Sequence, residues 1–154
     1  MTDSLDELYR DIIMDHFRYP RGTRPLEEFT VENEGKNPTC GDELKMSLKI
    51  DNGYVKDVSV GCKGCAISVA SGSILSELIK GKSVEEVRKI AAIVKAMLKS
   101  GDIPDDFELG DLEAMRGVKD FPVRIKCALL SWTTLTDGVD SYEKQMAAKV
   151  STTD

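Results

Sequence analysis

Leu5, Leu8, Tyr9, Ile12, Ile13, His16 and Phe17 recur at the three- and four-residue intervals of one helix face and predict an amphipathic first helix. Ser4 is placed to cap it, and Pro20 with Gly22 ends it. A turn-rich linker leads to a short extended piece around residues 29–32. A loop, Glu34-Gly35-Lys36-Asn37-Pro38-Thr39, then delivers Cys40. Leu44, Met46, Leu48 and Ile50 alternate with polar residues, the pattern of a half-buried strand. Asp51-Asn52-Gly53 is a hairpin signal, and residues 54–60 read as the returning strand. Just beyond it Gly61 and Gly64 frame Cys62 and Cys65. Helical spacing resumes over residues 66–80, through Ile67, Ala70, Ile74, Leu75 and Leu78, so Cys65 falls near a helix N-terminus. Ser83 and Glu86 form a capping box for the next helix, which carries Val84, Val87, Ile90, Ala91, Val94, Met97 and Leu98 up to Gly101. Residues 101–110 read as a loop and 111–115 as a brief helical turn. Pro122 opens a last helix toward Thr136 that Gly138 should interrupt, and the tail from about residue 147 reads as frayed.

Helix, small antiparallel sheet, then several helices is the order of an α+β domain, a three-stranded antiparallel sheet packed against helices in two layers. The 154 residues, without internal repeat or low-complexity tract, predict a single domain over 1–154. That length buries a core without covalent staples, so the cysteines are free for chemistry. The balance of 21 basic and 27 acidic residues, net charge -6, shows no Lys/Arg cluster interleaved with aromatics and argues against a nucleic-acid partner. The opening residues are acidic, and no apolar run reaches membrane-spanning length. Both point to a cytoplasmic protein with no membrane partner, whose thiols are kept reduced.

Reduced thiols give the chain's cysteines their weight. Antiparallel pairing brings Cys40 and Asp42, at the start of the hairpin, and Cys62 and Cys65, after its end, to one edge of the sheet. Thiolates and a carboxylate gathered in this way suit a soft metal or sulfur chemistry. A single free cysteine is commonly a small apolar filler; the ensemble is not. On the last helix Ile125, Ala128, Leu129, Trp132 and Thr136 make the apolar stripe, and a 100° step per residue puts Cys127 on the opposite side. There it is either in a smaller apolar contact, with Val123 and Leu130 beside it, or a shielded ligand. Arg124 and Lys126 adjoin Cys127 and would favour its thiolate, unless they are simply solvated helix charges. His16, the only histidine, lies on an apolar stripe and reads as packing or a partner contact before it reads as a ligand.

At these residues the chain resembles the iron-sulfur cluster assembly scaffold family typified by IscU and the NifU N-terminal domain, most closely its SufU branch. The segments concerned are Leu8 to Phe17, Asn37-Pro38-Thr39-Cys40-Gly41-Asp42, Gly64-Cys65-Ala66-Ile67-Ser68 and Phe121-Pro122-Val123-Arg124-Ile125-Lys126-Cys127, together with an insertion over residues 101–119. The resemblance implies a SufE/NifU-like two-layer sandwich and a site of Cys40, Asp42, Cys65 and Cys127. That site would bind Zn2+, and its three cysteines would bind a transient [2Fe-2S] cluster. It further implies that Cys40 accepts persulfide sulfur from a SufS-like cysteine desulfurase, with iron-sulfur acceptor or carrier proteins downstream. IscU proteins place a histidine directly before the last cysteine and a Leu-Pro-Pro-Val segment that recruits a chaperone. Here Lys126 and Phe121-Pro122-Val123 stand instead, which weighs toward the SufU-like role of sulfur carrier. Cys62 is unexpected in that family and reads as an auxiliary thiol or an extra ligand. Two other functions compete: a thiol-disulfide oxidoreductase using Cys62 and Cys65, and a structural zinc module for protein interaction.

Overall fold

The alternation at Leu44, Met46, Leu48 and Ile50 produces what it predicts: these four side chains are buried on one face of the central strand of a three-stranded antiparallel sheet. A computed structural model of the chain describes the backbone of residues 2–152 and the side chains of residues 7–148. Its elements are α1 (Thr2–Arg18), β1 (Val31–Asn37), β2 (Asp42–Asp51), β3 (Tyr54–Lys63), α2 (Ala66–Ile79), α3 (Val84–Ser100), a 3-10 segment (Gly110–Asp120) and α4 (Pro122–Thr152). The strands lie in the order β1-β2-β3. Helices α2 and α4 cover one face of the sheet, with α1, α3 and the 3-10 segment packed behind them. The result is the expected α+β layered arrangement. Val55, Val58 and Val60 of β3, Leu75 and Ile79 of α2, and Trp132, Leu135 and Val139 of α4 join the β2 face in one buried cluster.

Several boundaries differ from the expectation, each for a local reason. α1 begins at Thr2, so Ser4 lies inside its first turn and does not cap it; the side chain of Leu5 lies outside the described residues. β1 runs over Val31–Asn37 rather than 29–32, so most of the expected Cys40-delivering loop is strand. It was hidden because this edge strand faces α4 with polar or absent side chains. Asn33 Nδ2 donates to the Thr134 carbonyl at 3.0 Å, and Gly35 lies so close to Thr134 and Leu130 that a Cβ would collide with them. β3 extends past Val60 to Lys63, which places Cys62 within the strand, opposite Leu44. The hairpin turn is as read: Asn52 and Gly53 both have positive φ, 54° and 79°, the backbone a two-residue turn requires.

The α3 capping box forms, with Ser83 and Glu86 satisfying each other's backbone N–H groups, and Gly101 closes that helix in the left-handed region. The brief turn expected over 111–115 is an eleven-residue 3-10 segment, Gly110–Asp120. Its inward residues Leu112, Ala114, Met115 and Val118 are spaced to reach the core. Gly138 does not interrupt α4, which continues through residues 147–152; Thr153 and Asp154 lie outside the described residues. A Cβ on Gly138 would stand 3.2 Å from Val31, so the glycine serves close approach of helix to sheet rather than a break. Among the described residues no helix is long and apolar enough to cross a membrane.

Leu48 is fully buried at the centre of this arrangement. Leu48→Ala should therefore destabilise the protein by about 2–5 kcal/mol, read as a lower midpoint in urea unfolding at unchanged slope. A loss below about 0.5 kcal/mol would mean that β2 is not the core strand.

Candidate metal and sulfur site

The site begins with the pairing of Asn37 and Asp42, which closes the chain between β1 and β2 into a tight turn. The Cys40 N–H donates to the Asn37 carbonyl at 3.2 Å, and Gly41 takes a positive φ of 71°. Cys40 thus rides on the turn, half-buried, while Asp42 opens β2 with 1% of its surface exposed. The other end of the hairpin returns beside them. After β3, Gly64 passes so near the Asp42 carboxylate that a Cβ there would collide with it. Cys65 then occupies the N-cap of α2, and its backbone N–H donates to Asp42 Oδ1 at 2.9 Å. The Cys65 thiol lies 3.5 Å from the Ser68 hydroxyl.

Cys127 completes the group from α4. It is fully buried, and its Sγ lies 3.0 Å from Cys40 Sγ. Asn37 Nδ2 reaches the same sulfur at 3.7 Å. The stripe drawn from the sequence is too narrow. Ala128, Leu130, Ser131, Thr134, Leu135 and Val139 are all buried, because α4 meets both α3 and the sheet, and Cys127 belongs to the sheet-facing side. The ligand atoms of Cys40, Asp42 and Cys127 lie within 4.8 Å of one another. Cys65 stands beside this trio rather than inside it. Cys62, half-buried in β3, packs against the core.

Charge in this pocket is unevenly distributed. Burial opposes the Asp42 charge, but hydrogen bonds from Ser68, the Cys65 N–H and Cys127, with the Arg124 guanidinium nearby, hold its carboxyl below the usual carboxylate range. Cys65 is likewise held below an ordinary thiol: burial opposes ionisation, and the Ser68 hydroxyl and N–H outweigh it. Burial, followed by the company of Cys40, Asp42 and Cys65, pushes Cys127 far up. Burial also raises Cys62, helped by the charges of Asp42 and Cys65, to about 11. Arg124 is exposed and its pKa is raised by the cysteine sulfurs, Cys127 first; Lys126 is exposed, and the cationic charge acting on Asp42 is that of Arg124.

One feature of the trio bears directly on a metal. Asp42 Oδ2 is buried without any hydrogen-bond partner, while its sister oxygen accepts from the Cys65 N–H. A buried carboxylate oxygen left unpaired is costly, and a cation held between it and the thiolates would satisfy it. The residues therefore fit zinc: Cys40, Asp42 and Cys127 converge, with Cys65 adjacent. Sequence reasoning gave no role to Ser68 and Asn37. Ser68 sits three residues after the N-cap Cys65, a spacing that could have marked it. Asn37 is seen only once β1 is known to extend that far. His16 is buried as packing: its Nδ1 lies 2.7 Å from Ser73 Oγ and its Nε2 2.8 Å from Asp111. Glu77 is near the same group. Arg21 lies close by, paired with Asp15 at 2.7 Å and feeling Glu77 and Asp111 beyond it.

Comparison with known proteins agrees with this geometry. The NifU-like N terminal domain family matches residues 8–128. The chain is 42% identical over 140 residues to the "Zinc-dependent sulfurtransferase SufU" of Bacillus subtilis, covering 91% of this chain and 95% of that protein. It is 36% identical over 137 residues to the "Iron-sulfur cluster assembly scaffold protein IscU" of Thermotoga maritima, covering 89% and 96%. The crystal structure of an N-terminal NifU-like protein from Brucella abortus superposes with a TM-score of 0.81 over 91% of this chain and 97% of that one; at 23% identity this speaks for the fold alone.

Gly64→Ala should leave the protein folded but displace Asp42, so that Co2+, used as an optical stand-in for zinc, binds at least about tenfold more weakly than to the unaltered protein. Unchanged affinity would remove Asp42 from the site. Cys62, with its thiol raised to about 11, should label more slowly than Cys65 with iodoacetamide at pH 8. Its rate should climb through pH 11; a rate at pH 8 matching that of Cys65 would contradict the burial described.

Proposed function

This chain belongs to the NifU-like N-terminal domain family, and on that premise we propose that it is an iron-sulfur cluster assembly protein that accepts persulfide sulfur from a cysteine desulfurase at Cys40. The observation that carries the reading is the convergence of Cys40 and Cys127, sulfur to sulfur at 3.0 Å, on a buried carboxylate with one unsatisfied oxygen. Cys40 is half-buried on the β1–β2 turn, whereas Cys127 is buried, so of this close sulfur pair Cys40 is the one a partner can reach.

The residues divide the work. Cys40, Asp42 and Cys127, with Cys65, would hold zinc, which when bound keeps thiols deprotonated and oriented without redox chemistry of its own. Cys40 attacks the outer sulfur of the desulfurase persulfide. The sulfur–sulfur bond of the donor breaks, the donor thiolate leaves with the electron pair, and Cys40 carries the new persulfide. Asp42 and Arg124 fix the charge balance of the pocket while this happens. The same three cysteines suit a nascent [2Fe-2S] cluster as cargo, for delivery to iron-sulfur acceptor or carrier proteins. The setting we assign is the cytoplasm, where thiols stay reduced.

The oxidoreductase alternative loses its support. Cys62 lies inside β3, and a thiol raised to about 11 is a poor attacking or leaving partner for Cys65 at neutral pH. Cys40→Ala separates the remaining readings. It should fold, with a circular dichroism spectrum like that of the parent, and should neither gain sulfur from a desulfurase and cysteine nor stimulate the desulfurase. An unfolded Cys40→Ala protein would favour the structural zinc module instead. Intact sulfur uptake would end the assignment of Cys40.

A further inference from the structure

Cys127 stands where a second sulfur step would need a thiol. Its Sγ is 3.0 Å from that of Cys40, yet the two are unequally placed: Cys127 is fully buried in α4, and Cys40 is half-buried on the turn. A sulfane sulfur brought by a partner must arrive from the solvent side. It would then stand on the far side of Cys40 Sγ from Cys127, and displacement at sulfur proceeds from the side opposite the leaving group. Asn37 Nδ2, 3.7 Å from Cys127 Sγ, and the Val123 carbonyl, 3.8 Å from it, locate the buried sulfur for that approach. The other thiols are less well placed. Cys65 is turned to Ser68, and Cys62 is packed in β3.

We propose that Cys127 is the resolving thiol of this site: it attacks Cys40 Sγ and expels the sulfane sulfur as hydrosulfide, leaving a Cys40–Cys127 disulfide. This rests on the reading of Cys40 as sulfur acceptor. The Cys40–Cys127 bond forms as the bond from Cys40 to its sulfane sulfur breaks. Cys127 enters as the thiolate that bound zinc would keep deprotonated, and the departing sulfur takes that electron pair while keeping its own persulfide proton. It is thereby reduced by two electrons to the level of sulfide, while the two cysteines are oxidised to the disulfide. A dithiol reductant, small-molecule or protein, returns the pair to thiols in a later step. The product has the oxidation level of the inorganic sulfide in an iron-sulfur cluster, so the consuming reaction is one that combines sulfide with iron. Because Cys40 and Cys127 are also proposed zinc ligands, forming the disulfide removes two donors, and bound zinc should leave with it.

The test uses zinc-loaded protein charged with inorganic polysulfide as the sulfane donor, freed of excess reagent, and kept anaerobic without thiol reductant. Sulfide and zinc are followed colorimetrically, and disulfides are mapped by mass spectrometry of unreduced peptides. In the parent protein the Cys40 persulfide should decay with matching appearance of sulfide, free zinc and a Cys40–Cys127 linkage. Cys127→Ser should keep its persulfide at least about tenfold longer. Equal lifetimes in the two proteins, a linkage to Cys65 or Cys62, or a persulfide that simply persists in the parent protein would overturn the resolving role while leaving Cys40 as acceptor. Failure of both proteins to form any persulfide at Cys40 would instead overturn the acceptor reading. Should Cys127→Ser not fold, the linkage mapped in the parent protein decides.

Discussion

A charged carboxylate that has lost nearly all contact with water must find its compensation in the protein, and Asp42 sets that demand here. The backbone N–H at the start of α2 answers part of it, together with the Ser68 hydroxyl, so the positive end of a helix is tied to the first residue of a strand. That tie holds the β1–β2 turn, the end of β3 and the α2 N-terminus in one place. It also explains why Gly64 carries no side chain: the carboxylate fills the space where one would stand. What the tie leaves over is one buried, unpartnered oxygen on a carboxylate close to two sulfurs, a demand that a cation would meet.

The donors differ in how firmly they are anchored. Asp42, Cys65 and Cys127 belong to a strand, a helix cap and a helix, each fixed by regular hydrogen bonds and core packing. Cys40 alone is on a turn, held by its N–H to Asn37. Of the four, Cys40 is therefore the side chain whose backbone regular structure constrains least, while the elements carrying the others hold the pocket in shape. Burial adds a second gradient, from the accessible sulfur of Cys40 to the enclosed sulfur of Cys127.

Much of this was legible in the sequence where physical pattern and function coincide. The β2 alternation, the Asn52-Gly53 turn, the Ser83 capping box and the cysteine pairs flanking a hairpin all carry strong local signals. The failures share a cause. β1 was truncated because its contact with α4 is made by Asn33, Gly35 and Asn37, residues that read as loop unless the helix they face is known. Gly138 reads as a break because a glycine that permits close helix–sheet approach looks, in sequence, like one that ends a helix. Cys127 was put opposite the core because a helix with two neighbours has two buried sides, and a single stripe cannot describe it. In each case the missing information was a partner distant in sequence.

The unbroken course of α4 has a practical meaning. At a rise of 1.5 Å per residue, its end at Thr152 stands roughly 40 Å along the axis from the sulfur of Cys127. The helix is pinned to α3 on the way, where Arg88 bridges to Asp140 and Glu143. A fluorophore, tether or fused module attached near Thr152 would thus be held about a domain's width away from the thiols, on a stalk braced against swinging back over them.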